Sequence, residues 1–402
     1  MMHMMKRQMI CVAGLFRSLF TLFAVVVSVA AAPAFAQTNS TSTISTNVPG
    51  WITQPLSMVD ALDLTLRQNS TLQKARADLE AARGLVILTR AVALPTVTAA
   101  GKYTREDQGL IQKFPGVNAT FPDESWSTSI QIVQTIYQGG RTLSAFRAAR
   151  LSKEQSVFQY QTAVADALLA TRVAYYDVLV AEQQILVNEA SVNLLNEELQ
   201  DQQRRYEAGT VPRFNVLQAE VAVANARPPL INARNAFRIA KNNLSNLLGF
   251  NLPRNVWEDV PLTLTEKLDA QPYSVELPTA IAQALDRRTE LAALQRTEGL
   301  QRENIINARA GYKPTIQAFA GYDWDMSEFS TDLSQEFHGW IIGGQLNWNI
   351  FDGLATYGKV VQAKAQLAHA KADVEDRSRQ IELEVRTDYS GLIKRAKCSS
   401  RN

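Results

Sequence analysis

Two stretches of the chain alternate apolar and polar residues, then break on glycine into a long helical pattern. In the first, Trp126, Thr128, Ile130, Ile132 and Ile136 share one side, opposite Ser127, Ser129, Gln131 and Thr135. It ends at Ile136-Tyr137-Gln138-Gly139-Gly140. In the second, Trp340, Ile342, Leu346, Trp348 and Ile350 lie opposite Gln345, Asn347 and Asn349, and it ends at Phe351-Asp352-Gly353. Ile136 and Ile350 stand 214 positions apart, a period too long for a solenoid, which predicts a duplicated half-molecule. Each stretch has a partner before it. Thr96–Asp107 sets Val97, Ala99 and Tyr103 against Thr96, Thr98 and Lys102. Thr315–Asp325 sets Ile316, Ala318, Ala320, Tyr322 and Trp324 against Thr315, Gln317 and Asp323. Each is about the 9–11 residues that a tilted membrane-crossing strand requires. Alternation by itself fits a half-buried soluble sheet equally well. Trp126, Trp324, Trp340 and Trp348 fall in these strands and are candidates for an aromatic girdle at the membrane interfaces.

The helical patterns favour the membrane reading. Thr142 to Ala208 is helical throughout, roughly 100 Å at ~1.5 Å per residue. Val157, Val164, Thr171, Val178, Ile185, Val192, Leu199 and Tyr206 recur at strict sevens, the mark of a left-handed coiled-coil seam. Such a helix must pack sideways on other long helices. Gly209 is its expected C-cap, Thr210 and Val211 the turn, and Pro212 the start of an antiparallel return helix, Arg213 to Leu248. Pro228-Pro229 is expected to kink or break that return. Leu56 to Leu94 reads as one helix ended by Pro95, and Lys313-Pro314 echoes that ending.

The organisation expected is therefore a signal peptide over 1–36, a flexible leader over 37–55 and a first repeat over 56–248. A linker or equatorial segment over 249–277 and a second repeat over 278–395 follow. The repeat is read as lacking its tip and return helix, and 396–402 as a non-matching, non-helical tail. Lys6 and Arg7, the apolar run from Ile10 to Ala32 and the cleavage signal Ala34-Phe35-Ala36 carry the signal-peptide reading, in preference to a membrane anchor.

Charge and cysteine narrow the classes. Loss of Lys6, Arg7 and Arg17 takes 41 basic residues to 38 against 39 acidic ones, a net charge of −1. No basic excess is left to neutralise phosphates, which excludes nucleic acid as the expected partner. Only Cys398 would remain after cleavage, so no intramolecular disulfide can form. The histidines are His3, His338 and His369, without ligand spacing. No phosphate loop, zinc motif or nucleophile elbow occurs, so no catalytic, cofactor or metal residues are assigned.

The order of parts resembles the TolC family of outer-membrane efflux and type I secretion channels. Three motifs carry the resemblance over about Leu56 to Ile393: the turns at Gly139, Gly140 and Gly353, the tip Arg205-Tyr206-Glu207-Ala208-Gly209-Thr210-Val211-Pro212-Arg213-Phe214-Asn215-Val216-Leu217-Gln218-Ala219, and the prolines Pro95 and Pro314. The resemblance implies an α+β membrane protein in the outer membrane of a Gram-negative cell, extending into the periplasm. It implies a homotrimer with a long antiparallel α-helical coiled-coil barrel and four transmembrane β-strands per chain, closing one 12-strand barrel. It implies passive export of drugs, other small molecules or proteins. The partners implied are a periplasmic adaptor (membrane fusion) protein, an inner-membrane RND or ABC transporter, and outer-membrane lipid. Gly209, Thr210 and Val211 would be the adaptor-docking tip. Asn215 stands where the family often has an entrance-locking Asp; it keeps a hydrogen bond and loses the charge. Two other readings compete: a periplasmic coiled-coil adaptor or scaffold, and a truncated, non-conducting product of a channel gene.

Overall fold

The computed structural model describes residues 54–107, 123–250, 260–268, 275–326 and 336–399, with backbone only over 395–399. The expected signal peptide and nearly all of the expected leader lie outside the described residues. Among the described residues, seven α-helices and four strands are ordered α1 Met58–Gln68, α2 Ser70–Ala91, β1 Thr96–Arg105, β2 Glu124–Gln138, α3 Arg141–Glu207, α4 Arg213–Leu247, α5 Leu277–Arg287, α6 Thr289–Arg309, β3 Thr315–Met326, β4 Glu336–Asn347 and α7 Ala355–Ser399.

The strands form one antiparallel sheet in the order β1-β2-β3-β4. Within it β1 and β4 each pair on one side only, so both edges carry open backbone donors and acceptors. The helices run alongside one another: α2 packs on α3, α3 on α6, and α6 on α7, while α4 returns along α3. The heptad seam of α3 is buried at Thr171 and Val178 and half-buried elsewhere, with Tyr206 exposed near the tip.

The core sits where α1 crosses α3. Met58 and Ala61 pack with Tyr175, Val178 and Leu179 of α3, Leu244 and Leu248 of the return arm, and Val260 and Leu262 beyond it. Polar atoms inside it are paired. Thr65 and Thr171 share a hydroxyl hydrogen bond of 2.9 Å, and Tyr175 Oη donates to Leu56 O at 2.9 Å. Burial raises the Tyr175 pKa. Residues 260–266 thus belong to the first repeat's packing, with Leu56 N donating to Thr263 O and Thr265 N to Leu56 O.

Several expectations are corrected. Leu56–Leu94 is two helices, because Asn69 leaves helical geometry and caps the second one. Its Oδ1 accepts from Thr71 N at 2.9 Å and Leu72 N at 3.4 Å, and its Nδ2 donates to Leu247 O at 2.9 Å. The same break recurs 219 positions later at Arg288, between α5 and α6. Pro228 and Pro229 do not break α4. They lie on its exposed side with Ala224 and Asn225, whose carbonyls lose their i+4 donors where water can replace them. The C-terminal helix continues to Ser399 rather than ending before Lys397. The strand expected to reach Phe351 stops at Asn347.

Candidate functional site

The ladder register shows which side chains share a face. Val97, Ile132, Ala320 and Ile342 lie in one cross-strand row, and Ala99, Ile130, Tyr322 and Trp340 in the next on the same face. The opposite face carries Thr98, Gln131, Gly321 and Ile341 in one row and Ala100, Ser129, Asp323 and Gly339 in another, with Val133 and Phe319 between Thr96 and Gly343 in a third. One side of all four strands is therefore apolar, and it is the uncovered side. Ile342 is 71% exposed, Trp340 76% and Leu346 62%. Along β2 the apolar-side residues Thr128, Ile130 and Ile132 are exposed, while the polar-side Ser127, Ser129 and Gln131 are half-buried. A soluble half-buried sheet has the reverse pattern.

Ile136 departs from expectation. It is the extra residue of a β-bulge between Thr135 and Tyr137, so Tyr137 rather than Ile136 pairs with Ile316 on the apolar side. The bulge lies next to the turn into α3, where Gly139 and Gly140 take φ values of 65° and 95°. A Cβ at Gly139 would stand 2.8 Å from Ala310 O, so only glycine fits both the angle and the approach. Gly353 has φ 66° in open space, and Leu354 follows it at φ 69°. Asp352 accepts from Thr356 Oγ1 at 2.5 Å and from Thr356 N at 2.8 Å, which caps α7. These bonds hold the Asp352 carboxyl below the usual carboxylate range.

The four tryptophans fall at two levels. Trp126 pairs with Tyr103, Trp324 packs its ring 4.5 Å from Tyr322, and Trp340 faces Tyr322 across the ladder. Trp348 stands just past β4 at the helix end of the sheet, with Nε1 donating to Tyr312 O at 3.2 Å. Trp340 and Trp348 are eight positions apart, roughly 26 Å of extended chain.

At the far end of α3, Gly209 has φ 76°. Its N–H donates to Tyr206 O at 2.9 Å and that of Thr210 to Arg205 O at 2.9 Å, the Schellman pattern. Thr210 Oγ1 adds a bond to Arg205 O at 2.8 Å, and Arg205 pairs with Asp201 at 2.7 Å. Gly209 and Thr210 are exposed and Val211 is half-buried. The Asn215 side chain has no hydrogen-bond partner among the described residues, although its N–H donates to Pro212 O at 3.1 Å. The structure does not bring tip and tryptophans together; they occupy opposite ends of α3.

Among the described residues no group of three metal-ligating side chains occurs, and no helix is long and apolar enough to cross a membrane. An uncovered apolar sheet joined to polar helical rods agrees with what the comparisons find. Residues 61–250 match the outer membrane efflux protein family. That stretch of the chain is similar to that family. It is 24% identical over 343 residues to the alkaline protease secretion protein AprF of Pseudomonas aeruginosa, covering 83% of this chain and 69% of that one. It is 23% identical over 337 residues to the outer membrane protein TolC of Escherichia coli, covering 81% and 65%. Among solved structures it resembles the CmeC outer membrane channel of Campylobacter jejuni, with a TM-score of 0.69 at 15% identity over 80% of this chain and 67% of that one. The four-stranded sheet and its rods thus share the fold of that channel.

Sequence reasoning missed two features of this chain. One is the charged cluster of Arg288, Glu290, Arg377 and Glu384 described below; the other is the strained Leu354. Arg288 gave no signal because an arginine within a helical pattern reads as a solvated side chain.

Proposed function

We propose that this chain is the outer-membrane channel subunit of a tripartite efflux pump or type I secretion system, a passive conduit for small molecules or proteins. The observation that carries this reading is the continuous apolar face, open across four strands whose two edges are unpaired. In lipid every backbone group must find a partner, so four strands require other copies to close. Three copies would supply twelve strands, enough for a closed barrel with a polar interior. α2 and α7, at the two ends of the helix row, would meet their counterparts in neighbouring copies. The tip residues Gly209, Thr210 and Val211 project farthest from the sheet and are the surface offered to a periplasmic adaptor. Asn215 would contribute a neutral hydrogen bond, not an ion pair, to an entrance lock.

Two arginine substitutions test the reading. Ile342→Arg places a charge in the middle of the apolar face and is expected to cost about 2–4 kcal/mol of membrane stability. It should deplete the heat-modifiable oligomer from the outer-membrane fraction. Gln317→Arg, on the opposite face, is expected to leave it in place. Equal tolerance of both changes, with the protein recovered soluble from the periplasm, would overturn the proposal in favour of a helical scaffold.

A further inference from the structure

Beneath the sheet, at the junction with the helices, lies an open cleft of about 360 Å³ walled by α6, α7 and the first residue of α3. Its lining is polar and cationic: Arg141, Lys359, Asn304, Asn307, Gln362 and Gln366. Among the described residues neither Arg141 nor Lys359 has an acidic partner. Of the neighbouring carboxylates, Glu303 lies 3.9 Å from Arg147 through one oxygen, its other oxygen having no hydrogen-bond partner, and Asp352 accepts from Thr356. Thr356, buried, closes the floor where Gly311 comes so near that a Cβ would meet its Oγ1 at 2.6 Å.

The surroundings of the cleft say which ligand it suits. Ile350 is 85% exposed and Phe351 81%, and Tyr312, Trp348 and Leu354 are uncovered beside them. Leu354 holds this position at a positive φ that costs an L-residue about 1 kcal/mol or more. The indole of Trp348 reaches Tyr312 O, one residue from Gly311 in the cleft wall. An aromatic and aliphatic collar and a basic, amide-rich cleft therefore adjoin at the lower rim of the apolar face. Aromatics at headgroup depth with cations just outside the hydrocarbon are the usual pairing at a membrane surface.

We propose that this cleft binds the phosphate of an anionic phospholipid headgroup, with Arg141 and Lys359 neutralising it and the four amides donating hydrogen bonds. The acyl chains run over the collar onto the apolar face. The inference rests on the outer-membrane reading above.

The test uses the full chain extracted from outer membranes in mild detergent. Bound phospholipid is counted by native mass spectrometry, then titrated with phosphatidylglycerol, phosphatidylcholine and inorganic phosphate. The wild type is expected to retain lipid and to prefer phosphatidylglycerol. Arg141→Gln and Lys359→Gln should each weaken that binding about five-fold, whereas Arg141→Lys should keep most of it. Displacement of lipid only by phosphatidylglycerol supports the headgroup. Displacement by inorganic phosphate at equal concentration supports the same anion chemistry with a free phosphate as its source. Unchanged lipid retention in a double glutamine variant that still forms the heat-modifiable oligomer overturns the proposal. So does a loss of thermal stability without any change in lipid, which would mean that the two cations serve only the end of α6. A chain absent from the outer membrane would instead defeat the channel reading.

Discussion

The two repeats share the order helix, helix, strand, strand, long helix and hold it together differently. In the first, α1 buries Met58, Ala61 and Thr65 in an apolar core completed by Leu244 and Leu248. In the second, α5 buries no residue and its contacts run to α7. At the break between α1 and α2, Asn69 makes neutral hydrogen bonds to backbone. At the matching break, Arg288 reaches Glu290 at 3.1 Å and bonds to Glu384, while Arg377 joins Glu290 at 2.9 Å and Glu384 at 3.3 Å. The counterparts of Glu384 and Arg377 in the first repeat are Ala170 and Ala163. The difference teaches that a three-sided contact supports an apolar core, whereas a two-sided one leaves a half-wet seam. Charged side chains can span such a seam because their heads still reach water.

The largest test of this contrast is truncation of the core. Leu244→Ala should cost about 2–5 kcal/mol, because a fully buried leucine leaves a cavity. Leu285→Ala, on half-buried α5, should cost less than about 1 kcal/mol. Urea unfolding followed by far-ultraviolet circular dichroism compares them, and equal costs would erase the distinction.

A second test compares the turns. Gly139→Ala must tolerate both a left-handed φ and a Cβ 2.8 Å from Ala310 O, so about 2–4 kcal/mol of destabilisation is expected. Gly353→Ala meets open space and should cost only the backbone term, about 1 kcal/mol. The gap between their unfolding midpoints measures how much tighter the first junction is.

The smallest effect concerns the charged seam. The hydrogen bond from Arg288, opposed by partial burial and assisted by the charges of Arg288 and Arg377, holds the Glu384 pKa below its ordinary value. A depressed carboxylate stabilises the fold above the ordinary carboxylate range, and that contribution is lost as pH falls through the lowered value. Glu384→Gln should remove about 1 kcal/mol at neutral pH, the exposure of the pair limiting it. It should also flatten the acid limb of a stability profile and weaken its salt dependence. An unchanged acid limb would show that the network contributes nothing.

Much of this architecture was legible because its signals are periodic. Alternation located four strands, and sevens located the buried side of α3 at Thr171 and Val178. The tip followed from Gly209, since few residues other than glycine accept its φ. What escaped was aperiodic. The break at Asn69 interrupts no apolar spacing, and only its cap, Asn-Ser-Thr, marked it. Arg288 had no such cue. Pro228-Pro229 misled in the other direction, because local propensity cannot tell that the freed carbonyls lie on the wet side of the helix. The bulge at Ile136 was hidden by an isoleucine that looked apolar in either register. The cleft joins residues from three elements far apart in sequence, which no local pattern could have brought together.

The 67 residues of α3 form a continuous helical link of about 100 Å between the sheet and the turn at Gly209. A rod of that length is a lever. One degree of swing at the sheet end carries the other end roughly 2 Å, about the scale of a single side-chain rearrangement. Motions too slight to unseat the packing around Tyr175 would therefore arrive at the tip as displacements large enough to make or break hydrogen bonds.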